Sequence, residues 1–462
     1  MSIPSISHIL GPIMVGPSSS HTAGAVRIGQ EARNFLGEEP VSINITLYGS
    51  YAQGYRGHKT DLAVIGGCLG FDTGDIRIRN SGEEARIRGI KVVVGLDENL
   101  NYHTNTAVVN MVGVSGRKIR LRGASIGGGM IRIDEARRST GTESRESDNL
   151  HINGLQDTAV DLDQDGIVEV AGFETCTELV NEAEKRGVRL SDLILEQEAA
   201  AWGKSQDEVK EMVAGYLKVM KDAVQNGLAG NIKSIGGLTD NDALRLNQAA
   251  QEGKLIGGLL FANAMSWAMA VNEMNASMGV VAAAPTGGAC GVIPGAVLAA
   301  ADALGCKDED IISGLITAGG IGARIASKTS LSASVAGCQV EIGVAVGMGA
   351  AAIVQLSGGT PHQCAHAAAL GIKSFIGLTC GALGGLCEVP CVKRNGIGAA
   401  AALAAANMAL AGIKSQLPLD EVILGLADTG KRIPKELLGT TLTGLAGTPT
   451  GKSVYQRIYP QK

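Results

Sequence analysis

Two long stretches without a charged residue constrain the fold of this chain most. One runs for 26 residues from Ala276 to Ala301, and the other runs for 18 residues from Gly396 to Ile413. Each is about as long as a helix that crosses a membrane. Both are dominated by alanine and glycine, and Pro285 and Pro294 interrupt the first. Such sequences suit helices buried in a helical core, so we expect no membrane partner; the alternative is a small-molecule-binding membrane or sensor protein.

The composition agrees with a core of small side chains. Glycine accounts for 65 of 462 residues, and aromatic residues make up only 3%. The formal net charge of −5 provides no basic surface for phosphate backbones, so we expect no nucleic-acid partner. No basic segment followed by an apolar run lies near Met1, which predicts a cytoplasmic protein. In that compartment the nine cysteines are expected to be thiols or metal ligands rather than disulfides.

The first part of the chain has the pattern of an α/β domain, which we place at 1–138. Residues 41–47 alternate between apolar and polar side chains, as in a half-buried strand. Further strands are predicted at 87–94, 107–114 and 118–122. Helices are predicted at 23–36 and 62–69, capped by Ser20 or Thr22 and by Thr60 or Asp61. The sequence becomes polar and aperiodic at 139–153, and we therefore place a linker with a short turn or hairpin at 139–170.

The second part is predicted to be helical. Ser205 and Glu208 form a capping box, and apolar residues follow at helical spacing until the stop signal Asn226-Gly227. No clear strand pattern occurs after residue 175. The sequence thus predicts an α+β protein in which an N-terminal α/β domain precedes an all-α domain at 171–462.

Hydroxyl residues precede the first long helix in the motif GPSSSHTAG at 16–24. Hydroxyls and backbone N–H groups at a helix N-terminus can bind a carboxylate or phosphate. The alternative is an elaborate helix cap. An imidazole beside such an anion site is a candidate proton carrier, which makes His21 a candidate catalytic residue. His58 stands in a second loop before a predicted helix and is a weaker candidate on these grounds alone.

Three cysteines of the C-terminal half lie near glycines or a proline, namely Cys338, Cys380 and Cys391. Three thiolates can hold an iron–sulfur cluster and leave one iron open to a substrate. An open iron acts as a Lewis acid toward a hydroxyl leaving group. The alternative is that these cysteines are inert core residues, and their spacing does not exclude it. We interpret Cys387 as a packed thiol.

Taken together, these motifs resemble those of the bacterial iron–sulfur-dependent L-serine dehydratases, also called L-serine deaminases. The similarity extends over nearly the whole chain and corresponds to the β and α parts of that enzyme fused in order. The matching motifs are GPSSSHTAG at 16–24, LYGS at 47–50, GHKTD at 57–61, NTA at 105–107, SIGGG at 125–129, NASMG at 275–279, APTGG at 284–288, GCQVE at 337–341, EVPCVKRN at 388–395 and TPTGK at 448–452.

The resemblance implies a fold and a set of roles. The N-terminal domain would be related to an allosteric substrate-binding domain, and the all-α domain would be catalytic, with the active site between them in a homodimer. Cys338, Cys380 and Cys391 match the ligands of a 4Fe-4S cluster. His58 matches the base at the substrate Cα, with His21 beside it. The expected substrate-binding residues are Ser18, Ser19, Ser20, Thr22, Asn275, Ser277, Thr286, Lys328 and Ser330.

The implied reaction is the oxygen-sensitive conversion of L-serine to pyruvate and ammonia. The loop at 327–337 departs from the family pattern, and Lys328 in this loop could pair with an extra carboxylate. A larger or acidic β-hydroxy amino acid is therefore an alternative substrate, and L-cysteine with release of sulfide is another. A pyridoxal phosphate lyase with Lys328 as the Schiff-base lysine is the least favoured alternative, since it leaves the cysteines unexplained.

Overall fold

The computed structural model describes residues 3–97, 101–139, 168–439 and 442–460. They form two units. The helical unit combines the residues up to Ser18 with the described residues after the gap at 140–167, and the sheet unit begins at Ser19 and extends to Ser139. The first 18 residues thus belong to the helical unit, whereas the sequence analysis placed them in the N-terminal domain. Most of the predicted linker at 139–170 lies outside the described residues.

The N-terminal segment contributes two short strands to the helical unit. It contains β1 (Ile3–Pro4), α1 (Ile6–Leu10) and β2 (Ile13–Val15). The strand β2 pairs antiparallel with Val280–Ala282, and β1 pairs antiparallel with Glu169–Val170. The prediction of an all-α second domain is therefore wrong in this detail. Such short strands carry too few residues to show a periodic pattern.

The described residues of the sheet unit form four α-helices and five strands. They are α2 (Gly24–Leu36), β3 (Pro40–Tyr48), α3 (Gly49–His58), α4 (Thr60–Cys68), α5 (Ser81–Ile87), β4 (Lys91–Asp97), β5 (Thr106–Gly113), β6 (Lys118–Gly127) and β7 (Met130–Ser139). The sheet order is β4-β3-β5-β6-β7; β3 and β4 are parallel, and the other pairs are antiparallel. The prediction for β3 is confirmed. The predicted strand at 87–94 starts too early, because Ile87 ends a helix and Gly89, with φ 72°, separates that helix from β4.

Two glycines bring α2 and α4 into backbone contact. A Cβ atom added to Gly67 would lie 1.9 Å from the carbonyl oxygen of Val26, and one added to Gly29 would lie 2.3 Å from the carbonyl oxygen of Val64. Nothing larger than glycine fits either position without moving a helix. This contact confirms that the high glycine content serves close packing of backbones.

We expect Gly67→Ala to lower the free energy of unfolding by about 3 kcal/mol, the upper end of the usual cost of overpacking. The backbone of α2 blocks the added methyl group, so relief requires separation of the two helices. Urea unfolding measures the change. The matched control is Gly215→Ala, in the middle of a helix with nothing within 4 Å of the added Cβ, which should stabilise by about 0.5–1 kcal/mol. Equal stability of the two variants would contradict the packing argument.

The rest of the helical unit consists of β8, β9 and thirteen helices among the described residues. They are β8 (Glu169–Val170), α6 (Cys176–Arg186), α7 (Leu190–Trp202), α8 (Gln206–Leu228), α9 (Asp242–Gln251), α10 (Gly258–Ala276), β9 (Val280–Ala282), α11 (Val292–Leu304), α12 (Asp308–Ala326), α13 (Ala333–Ala336), α14 (Ile342–Leu356), α15 (Pro361–Lys373), α16 (Cys391–Leu410), α17 (Leu419–Arg432) and α18 (Pro449–Ile458). The capping box of Ser205 and Glu208 begins α8 as predicted.

The core of the helical unit is built around α14, which packs against α11, α12, α15 and α16. Two segments, Gly287–Leu304 and Cys338–Leu356, are long and apolar enough to cross a membrane. They are 83% and 89% buried within the structure. Both are core helices of the helical unit. The first overlaps the uncharged stretch at 276–301, which was predicted to be buried, and the second was not singled out from the sequence.

Candidate active site

Two histidines and a tyrosine meet inside the sheet unit. The ring centroids of His21 and His58 are 4.5 Å apart, and the Tyr51 ring centroid is 5.3 Å from that of His21. Ser50 completes the group, since its hydroxyl lies 2.9 Å from Nε2 of His21. All four side chains are buried. We call His21, Ser50, Tyr51 and His58 the histidine cluster. Both histidines were predicted from the sequence, but Ser50 and Tyr51 were not, although Ser50 lies in the LYGS motif.

The predicted capping by the hydroxyls before α2 is not observed. Ser19–Ala23 form a π-helical turn, and α2 begins without a side-chain cap. The Thr22 hydroxyl instead donates to the carbonyl of His58 at 2.9 Å, and the Ser20 hydroxyl lies 3.1 Å from Nδ1 of His21. These two hydrogen bonds hold His21 and His58 in position relative to each other. The predicted hydroxyl residues are all buried, namely Ser18, Ser19, Ser20 and Thr22, and their binding of substrate stays a prediction.

Burial keeps both imidazoles neutral. It lowers the pKa of His58 to about 4. Burial, with a smaller contribution from His58, lowers the pKa of His21 well below its ordinary value. Nδ1 of His58 is buried and has no hydrogen-bond partner in the part of the chain that the structure describes. A neutral imidazole with an unpartnered ring nitrogen is suited to accept a proton.

The depressed pKa of His58 makes the stability of the sheet unit depend on pH. In the unfolded chain this imidazole takes up its proton near the ordinary histidine pKa of 6.5, whereas the folded chain resists protonation until about pH 4. Stability is therefore complete above pH 6.5 and falls as the pH drops toward 4, by up to about 3 kcal/mol for this group. Urea unfolding between about pH 8 and 5, with hydrogen exchange of peptides from β3, measures the loss. His58→Gln should reduce this dependence and leave the part that His21 contributes, and an unchanged pH slope in that variant would contradict it.

The cysteines proposed as cluster ligands lie at element boundaries of the helical unit. Cys338 begins the 3-10 turn before α14, Cys380 lies in the loop after α15, and Cys391 is the first residue of α16. The Gln339 N–H donates to the carbonyl of Leu378 at 3.0 Å, which ties the first turn to the segment before Cys380. Cys338 and Cys391 are buried, and Cys380 is half-buried.

The thiols of these residues interact directly. Cys338 hydrogen-bonds Cys380, and Cys391 hydrogen-bonds Cys387. The two pairs are also coupled electrostatically, because Cys391 interacts with both Cys338 and Cys380. We call Cys338, Cys380, Cys387 and Cys391 the cysteine cluster. The structure therefore brings together the three cysteines proposed from the sequence and adds a fourth.

The electrostatics of the cysteine cluster favour a thiolate at Cys380. The hydrogen bond from Cys338, together with the N–H groups of Ala382 and Gly381 and the Arg394 guanidinium, lowers the pKa of Cys380 to about 6 against the effect of burial. The same hydrogen bond raises the pKa of Cys338. Thiolates are the form that binds metals.

The donor set fits an iron–sulfur cluster better than a single metal ion. Within the described ranges, no three His, Cys, Asp or Glu side chains are arranged to hold one ion. The chemistry of the donor set instead points to an iron–sulfur cluster. Such clusters are bound by cysteine thiolates, and the side chains that meet here are thiols.

Polar side chains line the backbone beside the cysteine cluster. Asn275 Nδ2 donates to the carbonyls of Pro17 at 2.8 Å and Gly287 at 2.9 Å. Asn275 Oδ1 is buried and has no hydrogen-bond partner among the described residues, whereas the buried Thr286 hydroxyl faces the Glu341 carboxyl. An orphaned buried oxygen such as Asn275 Oδ1 indicates an absent ligand or water.

Two further residues of this region were missed by the sequence analysis. Asn395 donates to the carbonyls of Gly288 at 2.8 Å and Cys391 at 2.9 Å. Burial, followed by the charge of Cys380, raises the pKa of Glu341 to about 8. Asn395 lies in the motif EVPCVKRN, and Glu341 lies in GCQVE. Both motifs carry the resemblance to the family, so the sequence contained a signal for these two residues.

The other predicted substrate residues are less well placed. The Ser277 hydroxyl donates to the carbonyl of Met274 at 2.8 Å, as at an ordinary helix end. Lys328 is exposed. The Ser330 hydroxyl accepts from the Ser332 N–H at 3.2 Å within its own loop. Contact of these residues with substrate stays a prediction.

Comparison with known proteins decides the family. The family model for the serine dehydratase alpha chain matches residues 185–446, and that for the serine dehydratase beta chain matches residues 5–91. L-serine dehydratase of Streptomyces coelicolor is 33% identical over 94% of this chain and 96% of its own length. The chain belongs to the serine dehydratase family. L-serine dehydratase 2 of Escherichia coli K12 is 31% identical over 94% of this chain and 96% of its own length. A probable L-serine dehydratase alpha chain of Bacillus subtilis is 42% identical over 62% of this chain and 95% of its own length.

Family membership confirms the resemblance read from the motifs and the assignment as a lyase. This serine dehydratase carries the beta and alpha regions in one polypeptide, as predicted. The region matching the beta chain contains His21 and His58, and the region matching the alpha chain contains the whole cysteine cluster.

Proposed function

We propose that this serine dehydratase converts L-serine to pyruvate and ammonia with a 4Fe-4S cluster bound by Cys338, Cys380 and Cys391. The observation that carries the proposal is that the Cys338 and Cys380 thiols meet and both interact electrostatically with Cys391, in a chain whose relatives are named L-serine dehydratases over 94% of its length. When bound, a cluster with an open iron supplies a Lewis acid for the departing hydroxide.

We assign removal of the Cα proton to His58. This proton is weakly acidic, so a base must take it as the hydroxyl leaves. The His58 imidazole is neutral because it is buried, and its Nδ1 has no competing partner among the described residues. The product of water loss is aminoacrylate, which tautomerises and hydrolyses to pyruvate and ammonia. His21, held by Ser50 and Ser20, keeps the His58 ring in place.

We assign binding of the ammonium and carboxylate groups of the substrate to Asn275 and Thr286. Both amide hydrogens of Asn275 are directed at carbonyls of Pro17 and Gly287, so its Oδ1 is left as a fixed acceptor for an ammonium. The Thr286 hydroxyl, which faces the Glu341 carboxyl, would donate to the substrate carboxylate in its place. The hydroxyl residues at 18–20 and 22 remain candidates for the same task. A cytoplasmic location and a homodimer remain predictions.

Purification without oxygen, followed by iron, sulfide and pyruvate measurements on one sample, tests the proposed function. About four iron and four sulfide per chain, with pyruvate formed from L-serine and activity lost in air, is the expected result. A loaded protein that is inert toward L-serine but releases sulfide from L-cysteine, or acts on an acidic β-hydroxy amino acid, would overturn the substrate. An active enzyme without iron would overturn the cluster.

A further inference from the structure

The Asn395 side chain joins the first turn of α16 to the segment at 286–291, which precedes α11. Its Nδ2 donates to the carbonyl of Cys391 at 2.9 Å within α16 and to the carbonyl of Gly288 at 2.8 Å in the segment. Its Oδ1 accepts from the Gly291 N–H at 2.9 Å. Asn395 is completely buried, so these hydrogen bonds form a connection between two stretches of backbone that water does not reach.

The same segment is also held from α10. Asn275 Nδ2 donates to the carbonyl of Gly287 at 2.9 Å, and a Cβ atom added to Gly291 would lie 2.0 Å from the carbonyl oxygen of Ala268. Asn275 and Asn395 thus bind consecutive carbonyls of one segment from two different helices. Because a buried carbonyl or N–H group without a partner is costly, the path of the segment depends on both side chains.

This connection joins two groups of the proposed function. Thr286, assigned to the substrate carboxylate, lies at the start of the segment, where its carbonyl accepts from the Ala289 N–H at 3.1 Å. Cys391, a proposed cluster ligand, is the first residue of α16. A shift of the segment along α16 would change the distance between the bound carboxylate and the cluster. Misplacement of a reacting group by about 1 Å can lower a rate by about 10²-fold.

We propose that Asn395 is a positioning residue that holds Thr286 at a fixed distance from Cys391 during the dehydration of L-serine. The inference rests on the proposed function. In this role Asn395 touches neither substrate nor iron and acts through the two segments that it joins. The first turn of α16 keeps its own hydrogen bonds without this side chain, since the Arg394 N–H donates to the carbonyl of Pro390 at 3.0 Å. Loss of Asn395 should therefore impair substrate binding and turnover more than cluster assembly.

Asn395→Ser tests this role, since a serine hydroxyl can still bond to the carbonyl four residues earlier in the helix but is too short to reach both Gly288 and Gly291. Asn395→Ser and Asn395→Ala should lower kcat/KM for L-serine by about 10²-fold and keep about four iron per chain. The matched control is Asn407→Ala, which replaces an exposed asparagine of the same helix and should change kcat/KM by less than about twofold. An unchanged kcat/KM in Asn395→Ser would overturn the proposal.

A double-mutant cycle with Thr286→Val separates positioning from a general loss of stability. If Asn395 acts through Thr286, the combined loss in kcat/KM should be at least about tenfold smaller than the product of the two separate losses. A combined loss equal to that product would mean that the two residues act independently, and it would overturn the proposal.

Hydrogen exchange of the anaerobic protein without substrate gives a readout that needs no turnover. The Gly291 N–H loses its acceptor in Asn395→Ser, so its peptide should exchange at least about tenfold faster than in the wild type or in Asn407→Ala. Equal exchange in an active wild type and in Asn395→Ser would overturn this inference alone. A wild type that lacks iron and sulfide, or that is inert toward L-serine, would overturn the proposed function itself.

Discussion

Cys391→Ser, purified without oxygen, will contain less than about half of the wild-type iron, and its rate of pyruvate formation from L-serine will be at least about 100-fold lower. Cys391 begins α16, and its thiol hydrogen-bonds Cys387 and interacts electrostatically with Cys380 and Cys338. Loss of this sulfur removes a ligand of the proposed cluster and the interaction that links the Cys338–Cys380 pair to Cys387 and Cys391. Iron, sulfide and pyruvate assays on the same sample measure the effect.

The control for this variant is Cys364→Ala. Cys364 is a buried thiol of α15 in the same unit, but it does not belong to the cysteine cluster. Its replacement should leave iron content and rate within about twofold of the wild type. Thermal unfolding of both variants separates loss of the cluster from loss of the fold. Full iron content in Cys391→Ser would contradict the assignment of this cysteine as a ligand.

His58→Gln will lower kcat by about 10²- to 10⁴-fold, the usual contribution of a general base, and will leave iron and sulfide unchanged. Glutamine preserves part of the volume and polarity of the imidazole but cannot accept the proton. The cysteine cluster belongs to the helical unit and His58 to the sheet unit, so this substitution changes no proposed iron ligand. Steady-state pyruvate formation and metal analysis test the two parts of this result.

An isotope measurement distinguishes loss of the base from a general disturbance of the sheet unit. With L-serine deuterated at Cα, His58→Gln should show a larger isotope effect on kcat than the wild type, since proton removal becomes slower relative to the other steps. The control is His103→Gln, in the same unit but engaged with the Asn105 N–H at 3.2 Å, with an expected change in kcat below about threefold. An unchanged kcat in His58→Gln would exclude His58 as the base.

Periodicity predicted the elements that have an exposed and a buried side. The alternation at 41–47 gave β3, and the capping box at Ser205 gave the start of α8. The strands β1 and β2 were missed because two or three residues show no alternation, and their partners lie far away in the chain. Assignment of the first 18 residues to the helical unit depends on these pairings, so it could not be predicted from local pattern.

The residue types of the site could be predicted from the sequence, but the positions of most of its side chains could not. Spacing alone allowed three cysteines to be ligands or core residues, and the resemblance supplied their roles. Neither could show that Cys387 joins them, because this depends on how the loop before α16 is anchored by Glu388. Capping rules predicted Thr22 as a possible cap of α2, but its hydroxyl donates to the carbonyl of His58 instead.

The pairing of β2 with β9 limits how this polypeptide can be divided. A break within 140–167 would place Ile13–Val15 on one chain and their partners Val280–Ala282 on the other. The strands β2 and β9 would then pair between two chains. Each fragment made alone would expose unpaired backbone N–H and C=O groups. Functional separation into two subunits therefore calls for coexpression of the fragments, whereas the fused chain brings the donor strand and its acceptor together at a high effective concentration.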